Sequence, residues 1–260
     1  MQVYKKMIIT KIRDEKIYEN EDMIIMEYPL TIFINDEEFI TLLCTPKSLD
    51  YLAIGFLISE GFIKSKEDII NMRIDEIRGI AHLEIKEKDL LIKKLYGKRT
   101  MTTGCGKGTI FYSVIDALKT KKIYNDFNVK KEYILQISNG LNKRSELFIK
   151  TGGVHSCLLC SKDDELIFHE DVGRHNAIDK IIGEAFIKGI DLKDKIILTS
   201  GRISSEMLLK SAKVGIPVVV SRSAATDLAV DIANKLGITL VGFARGKKMN
   251  IYSHEERILI

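Results

Sequence analysis

The sequence predicts an α/β protein in two parts: a smaller, strand-rich α+β part over residues 1–100 and an alternating α/β part over residues 109–260. Three observations carry this. In the second half, apolar runs such as "DKIILTSG" and "IPVVVSRS" alternate with segments whose apolar residues recur at helical spacing. That is the pattern of a sheet covered by helices on both faces. In the first half, β-rich runs are joined by polar turns and interrupted by one helical stretch. Between the halves, residues 101–108 ("MTTGCGKG") form a glycine-rich loop, expected to be mobile.

Taken in order, "MIIMEYPLTIFIN" and "EFITLLCT" are strands joined by the turn "NDEE", a hairpin signal. "KSLDYLAIGFLISEG" is a helix that Gly61 ends as a C-cap. "RIDEIRGIAHLEIKEKDLLIKKLYG" supplies further strands, and a boundary near Thr100 follows. "GTIFYSVIDALKT" is a helix, and "KEYILQISNGLNKRSELFIKTGG" is one longer helix ending at Gly152-Gly153. "VHSCLLC" and "ELIFHE" are strands around the turn "SKDD". Then come the helix "GRHNAIDKIIGEAFIKG", the strand "DKIILTSG", the helix "SSEMLLKSAKVG", the strand "IPVVVSRS", the helix "ATDLAVDIANKLG" and the strand "ITLVGFARG".

Composition narrows the function. With 40 basic and 36 acidic residues, the net charge of +4 is too small to indicate nucleic acid. It is compatible with a local basic site for an anion. "MQVYKKMIITKIRDEK" lacks the apolar core of a signal peptide, and no apolar run approaches the roughly 18 residues a membrane span needs. The expectation is a cytoplasmic protein without a membrane partner. Four cysteines are too few for a disulfide scaffold, so each is judged as a thiol.

Two motifs fall away on spacing. "GCGKGT" would be a phosphate-binding loop only with Gly at Met101 and Ser or Thr at Gly108. A zinc deaminase would need H-x-E before P-C-x-x-C, whereas here "CLLC" comes first, no Pro precedes it, and His169-Glu170 has no spacer. No structural zinc is expected. On a strand, Cys157 and Cys160 point to opposite faces, with His155 on the Cys157 side, so both thiols read as buried packing.

Other groups suggest chemistry. "HEDVGRHNAIDK" collects His169, Glu170, Asp171, Arg174 and His175 at a strand-to-helix junction. Helix capping explains Asp171 but not the arginine and both histidines. In open α/β sheets ligands favour loops past the strands' carboxyl ends. Those loops here are "SGRISSE", "SRSAATD" and "FARGKK", rich in hydrogen-bond donors. Arg245, Lys247 and Lys248 read either as a solvated turn or as an anion grip, and their place after an apolar strand favours the grip. Cys105, between two glycines and beside Lys107, carries no adjacent base that would make it a fixed nucleophile. A lysine and a following helix start favour the thiolate, which suits a carrier that collects a group in one place and releases it in another.

Several stretches together resemble the formate dehydrogenase accessory sulfurtransferase family, FdhD. They are "EYPLTIFINDEEFITLLCTPKSLDYLAIGFLISEGFI", "TTGCGKG", "TGGVHS", "EDVGRHNAIDKIIG", the run from "LTSGRISSEM" to "GFARG", and "MNIYS". The resemblance covers most of the chain from about Glu27 and implies a C-terminal three-layer, cytidine-deaminase-like fold without its zinc. It implies sulfur transfer from a cysteine desulfurase, through a persulfide on Cys105, to the molybdenum or tungsten bis-guanylyl-pterin cofactor of a formate dehydrogenase. It also implies a homodimer, with GDP as a possible analogue of the cofactor's nucleotide end. Cofactor binding is expected at Phe243, Ala244, Arg245, Gly246, Lys247 and Lys248, with Ser200, Gly201, Arg202 and Ser221 helping from strand-end loops. His155, Arg174 and His175 are expected to position the acceptor. Where the family loop commonly holds two cysteines, "GCGKG" keeps only Cys105, which argues against a mechanism requiring a loop disulfide. A non-covalent cofactor chaperone and a guanine-nucleotide-binding regulator are the alternatives.

Overall fold

The computed structural model describes residues 1–86, 99–101, 120–124 and 126–260. The loop with Cys105 and Lys107, and the helix expected directly after it, lie outside the described residues.

The chain opens with a hairpin that the sequence reading left unassigned, β1 (Tyr4–Arg13) and β2 (Lys16–Ile25). Its two-residue turn puts Asp14 and Glu15 at positive φ, the geometry that matches strand twist. The expected run "MIIMEYPLTIFIN" is therefore broken: β2 ends at Ile25, and β3 (Tyr28–Ile34) joins a different sheet. The "NDEE" turn is as expected, with Asn35 and Asp36 at positive φ before β4 (Glu37–Cys44). Helix α1 (Leu49–Glu60) stops at Gly61, whose φ of 88° is left-handed. The strands β5 (Ile69–Asp75), β6 (Ile80–Ile85) and β7 (Arg99–Met101) complete a five-stranded sheet ordered β5-β6-β3-β4-β7. Its inner face carries Leu30, Ile32, Ile40, Leu42, Ala81 and Leu83 against Leu52, Phe56 and Leu57 of α1.

The second half begins with β8 (Val129–Lys130), α2 (Lys131–Arg144) and α3 (Glu146–Thr151). One continuous helix was expected here; the structure breaks it at Ser145, whose ψ of 83° leaves the helical region. Tertiary hydrogen bonds hold the break, because the Ser145 hydroxyl donates to Glu170 and accepts from Ser156. The remaining elements are β9 (His155–Cys160), β10 (Glu165–Asp171), α4 (Arg174–Lys188), β11 (Ile196–Thr199), α5 (Ser205–Lys213), β12 (Val218–Ser221), α6 (Asp227–Leu236), β13 (Thr239–Arg245), β14 (Lys248–Ser253) and β15 (Ile258–Leu259). Six of these strands form one sheet in the order β10-β9-β11-β12-β13-β14, parallel from β11 to β13 and antiparallel at both margins. Helices α5 and α6 are capped by the Ser204 and Thr226 hydroxyls.

Three layers result. Helices α4, α5 and α6 cover one face through a core that includes Cys157, Leu159, Ile197 and Val219. Helix α2 covers the other face, over Leu158, Cys160, Leu198 and Val220. Cys157 and Cys160 thus occupy opposite cores, as strand alternation requires. The two halves meet where α1 crosses α4 with Gly55 on Asp179 and Gly183 on Tyr51, backbone against backbone.

Candidate functional site

Parallel strands β11, β12 and β13 all end at the same margin of the sheet, and antiparallel β9 begins there. That shared margin brings residues from four loops together. His155 opens β9, and its Nδ1 stands 3.5 Å from the Ser200 hydroxyl. Ser200 is fixed by two ladder-like bonds to Ser156, one through each backbone nitrogen. A Cβ on Gly201 would come within 3.1 Å of Arg174 Cβ and 3.3 Å of His155 Nδ1, so glycine lets these two side chains close on the loop. Ser221 is fully buried; its hydroxyl donates to the Gly201 carbonyl at 2.6 Å and accepts from the Ser223 N–H, tying two strand-end loops together.

A cavity of about 430 Å³ opens beside this seam, lined among others by Asn142, Phe148, Gly153, His155, Ser200 and Arg222. Arg222 was not singled out in the sequence, although it directly follows Ser221 in a strand-end loop. Its guanidinium donates to the Ser138 carbonyl of α2, and burial together with Arg245 lowers its pKa. The Arg174 pKa is lowered by burial first and then by Arg202, and its buried Nε has no hydrogen-bond partner among the described residues. Guanidiniums that repel one another in a half-desolvated margin favour an anionic guest.

The basic turn lies on the neighbouring connection. Arg245 is stacked 5.9 Å over the ring of Phe243, a bulky residue held at a φ of 51°. Such a backbone is costly and is found where surrounding structure imposes it. Here the Phe243 N–H is bonded to Ser223 O, and the β13–β14 register shifts between Gly242 and Arg245. Asn139 clamps the next peptide from α2, giving its amide to Gly246 O at 2.9 Å and accepting from Gly246 N at 2.7 Å. The Ser138 hydroxyl donates to Ala244 O, which sits in the buried core beneath the turn. Lys247 and Lys248 are exposed at its tip. The structure therefore brings His155, Ser200, Gly201, Arg174 and Arg202 to one end of the margin, with Arg222 linking them to Arg245. It withdraws Ala244 and the Ser221 hydroxyl into the interior.

The cluster read from "HEDVGRHNAIDK" is dispersed by strand alternation. His169 turns toward α4, where its Nε2 lies 2.5 Å from Glu184. Glu170 points the other way, to Ser145. Asp171 is fully buried beside Lys180. Arg174 and His175 alone stay at the margin. His175 Nε2 is 3.3 Å from a Glu206 carboxylate oxygen without an aligned hydrogen bond.

Burial, with help from Lys210 and Arg174, pushes His175 down to about 3. A histidine that is neutral in the folded state and charged in the unfolded chain stabilises the fold above its unfolded pKa of about 6.5. That contribution is lost as pH falls toward 3. The slope is at most about 1.4 kcal/mol per pH unit for one such group. His155 and His169, lowered mainly by burial, act in the same direction. His175→Gln is expected to flatten part of the acid-side loss in urea melts at pH 7, 5.5 and 4; an unchanged slope would remove His175 from this account.

Among the described residues no group of three or more His, Cys, Asp or Glu is placed to hold a metal ion. Comparison with known proteins gives consistent matches. The model of the FdhD/NarQ family matches residues 25–259. Sulfur carrier protein FdhD of Geobacillus kaustophilus is 45% identical over 256 residues, spanning 98% of this chain and 97% of that protein. Its Bacillus subtilis counterpart, also named sulfur carrier protein FdhD, is 41% identical over 256 residues, spanning 96% and 98%. A crystal structure described as a formate dehydrogenase accessory protein from Desulfotalea psychrophila superposes with a TM-score of 0.81. It is 27% identical and is matched over 99% of this chain and 100% of that one.

Proposed function

Because the chain belongs to the FdhD/NarQ family, we propose that it is a sulfur carrier serving a formate dehydrogenase, with Cys105 as the carrier thiol. The names of its relatives support the carrier and accessory roles. Its acceptor substrate is the molybdenum bis(molybdopterin guanine dinucleotide) cofactor, or its tungsten counterpart, and its donor is a cysteine desulfurase. The Cys105 thiolate attacks the terminal sulfur of the donor's persulfide. One S–S bond forms on Cys105 as the donor's own breaks, and the donor leaves as a thiolate. Delivery of that sulfur to the metal as sulfide takes two electrons, which an external thiol reductant supplies.

The observation that carries the binding half of this reading is that Arg222 lines the cavity with His155 and Ser200, with Arg245 acting on Arg222 and Arg202 on Arg174 at the same strand ends. Guanidiniums grip phosphate by paired hydrogen bonds, and a guanine dinucleotide presents phosphates. His155, kept neutral by burial and by Arg174, can donate or accept one hydrogen bond there without adding charge. The working unit is a homodimer in the cytoplasm. No helix among the described residues is long and apolar enough to cross a membrane.

Incubation with a cysteine desulfurase and cysteine is expected to add roughly 32 Da to Cys105. Cys105→Ala is expected to lose that adduct and all labelled-sulfur loading; full loading of the variant ends the assignment. GDP binding with no adduct on the wild type would instead identify a non-covalent chaperone or a nucleotide-binding regulator. Asn139→Ala tests how the basic turn is held. Two net hydrogen bonds of about 1 kcal/mol each place the expected loss of GDP affinity at up to roughly thirtyfold, read by calorimetry. The melting temperature should move little, because the clamp is exposed. Unchanged affinity would mean that the turn binds nothing or needs no clamp.

A further inference from the structure

A carboxylate stands among the positive groups of the margin. Glu206 lies in the first turn of α5, four residues past Arg202 on the loop from β11. The helix dipole favours an acid in that turn. Capping alone does not explain where its side chain goes, because the Ser204 hydroxyl already caps α5. The half-buried carboxylate crosses instead to α4, where it stands 3.3 Å from Nε2 of His175, the residue next to Arg174. That contact is not an ion pair, since burial pushes His175 down to about 3 and leaves it neutral at pH 7.

The Glu206 charge acts on two cations, Lys210 and Arg174, and favours the charged form of each. Lys210, one turn further along α5, is matched without it. Its ammonium is 2.8 Å from both Asp179 carboxylate oxygens and 3.7 Å from Glu60. Arg174 is the different case. Its buried Nε has no hydrogen-bond partner among the described residues, Arg202 repels it, and Glu206 is the acid that offsets this repulsion. Gly201 lets the Arg174 stem close on the loop beside His155, so the guanidinium belongs to the margin and not to the helix seam behind it.

An acid placed against a margin that grips anions weakens the grip. We propose that Glu206 sets the margin's affinity for phosphate groups, acting through Arg174, which it shares with the bound anion. The proposal rests on the anion-binding half of the sulfur-carrier reading and adds a residue and a purpose to it. A cofactor that has received its sulfur must leave for the client enzyme. Arginines with no acid beside them would hold its phosphates tightly, whereas a guest that shares Arg174 with a resident carboxylate is let go more readily.

Calorimetry with GDP as the probe tests this. Glu206→Gln keeps the shape of the side chain and removes its charge. It is expected to bind GDP roughly two- to fivefold more tightly than wild type at about 50 mM salt, and the gain is expected to shrink at about 300 mM, because half-exposed charges are screened. Glu206→Asp, which keeps the charge, is expected to bind as wild type does. In an Arg174→Gln background the Glu206→Gln change is expected to have little effect, since the cation it acts through is gone. A purely structural role for Glu206 would give weaker or equal binding with no dependence on salt. A Glu206→Gln variant that binds no tighter than wild type, or one that tightens equally without Arg174, overturns the proposal and leaves the sulfur-carrier reading standing. A wild type that binds no GDP overturns the anion-binding margin itself, and this proposal with it.

Discussion

Gly183→Ala is expected to lower the melting temperature by many degrees, and Gly55→Ala to do the same. At their crossing, α1 and α4 touch through backbone. A Cβ on Gly183 would sit 2.0 Å from the Tyr51 carbonyl oxygen, and one on Gly55 would sit 1.8 Å from that of Asp179. No rotamer change relieves such contacts, because neither obstacle is a side chain. The helices must separate along a seam where Leu52, Phe56, Ile178 and Ile182 are almost fully buried. Overpacking in a well-filled core costs roughly 1–3 kcal/mol, and more where the backbone must move. Thermal unfolding would measure it, and a variant melting within a degree or so of wild type would mean that the helices do not meet as described.

Lys180→Ala carries the second large effect. Lys180 is fully buried, and its ammonium holds Asp171 at 2.6 Å and the Thr45 carbonyl at 3.1 Å. Asp171 in turn accepts from Thr45 N, Gly173 N and the Asn176 amide. Removing the lysine leaves a carboxylate in the interior with no cation, a loss of about 3–5 kcal/mol where such pairs have been broken. Lys180→Met/Asp171→Asn is expected to recover part of the loss, since it removes both charges and retains an oxygen for the N–H donors. Urea midpoints of the two variants and wild type provide the check; a double variant no better than Lys180→Ala would show that the charge is not what matters.

Much of the architecture was legible because it is written in local period. The parallel strands are short apolar runs, their helices have Ser or Thr at the N-cap and Gly just past the end, and the Asn35–Asp36 turn is plain from composition. Strand alternation also separated Cys157 from Cys160. The same rule would have separated His169 and Asp171 from Glu170, yet those three residues were grouped by closeness in sequence. What could not be read locally was set by distant partners. The helix break at Ser145 depends on Glu170, and the Asn139 clamp depends on a turn about a hundred residues later. Arg222 directly follows Ser221 in the strand-end loop "SRSAATD", so the strand-end rule contains it, but nothing in the local sequence sets it apart from the hydroxyl beside it. The β1–β2 ribbon escaped because neither of its faces is buried, so no apolar alternation marks it. Cys105, the carrier thiol of the proposed function, rests on its glycine neighbours and the family resemblance, and it lies outside the described residues.

Helix α1 is apolar on nearly every side because it is enclosed by a sheet on one flank and α4 on the other. Its second cover lies about 130 residues further along the chain. At a synthesis rate of roughly 5–20 residues per second, α1 leaves the ribosome on the order of ten seconds before α4 exists to meet it. Throughout that interval the nascent chain displays an oily helix that only a chaperone or the half-built sheet can shield.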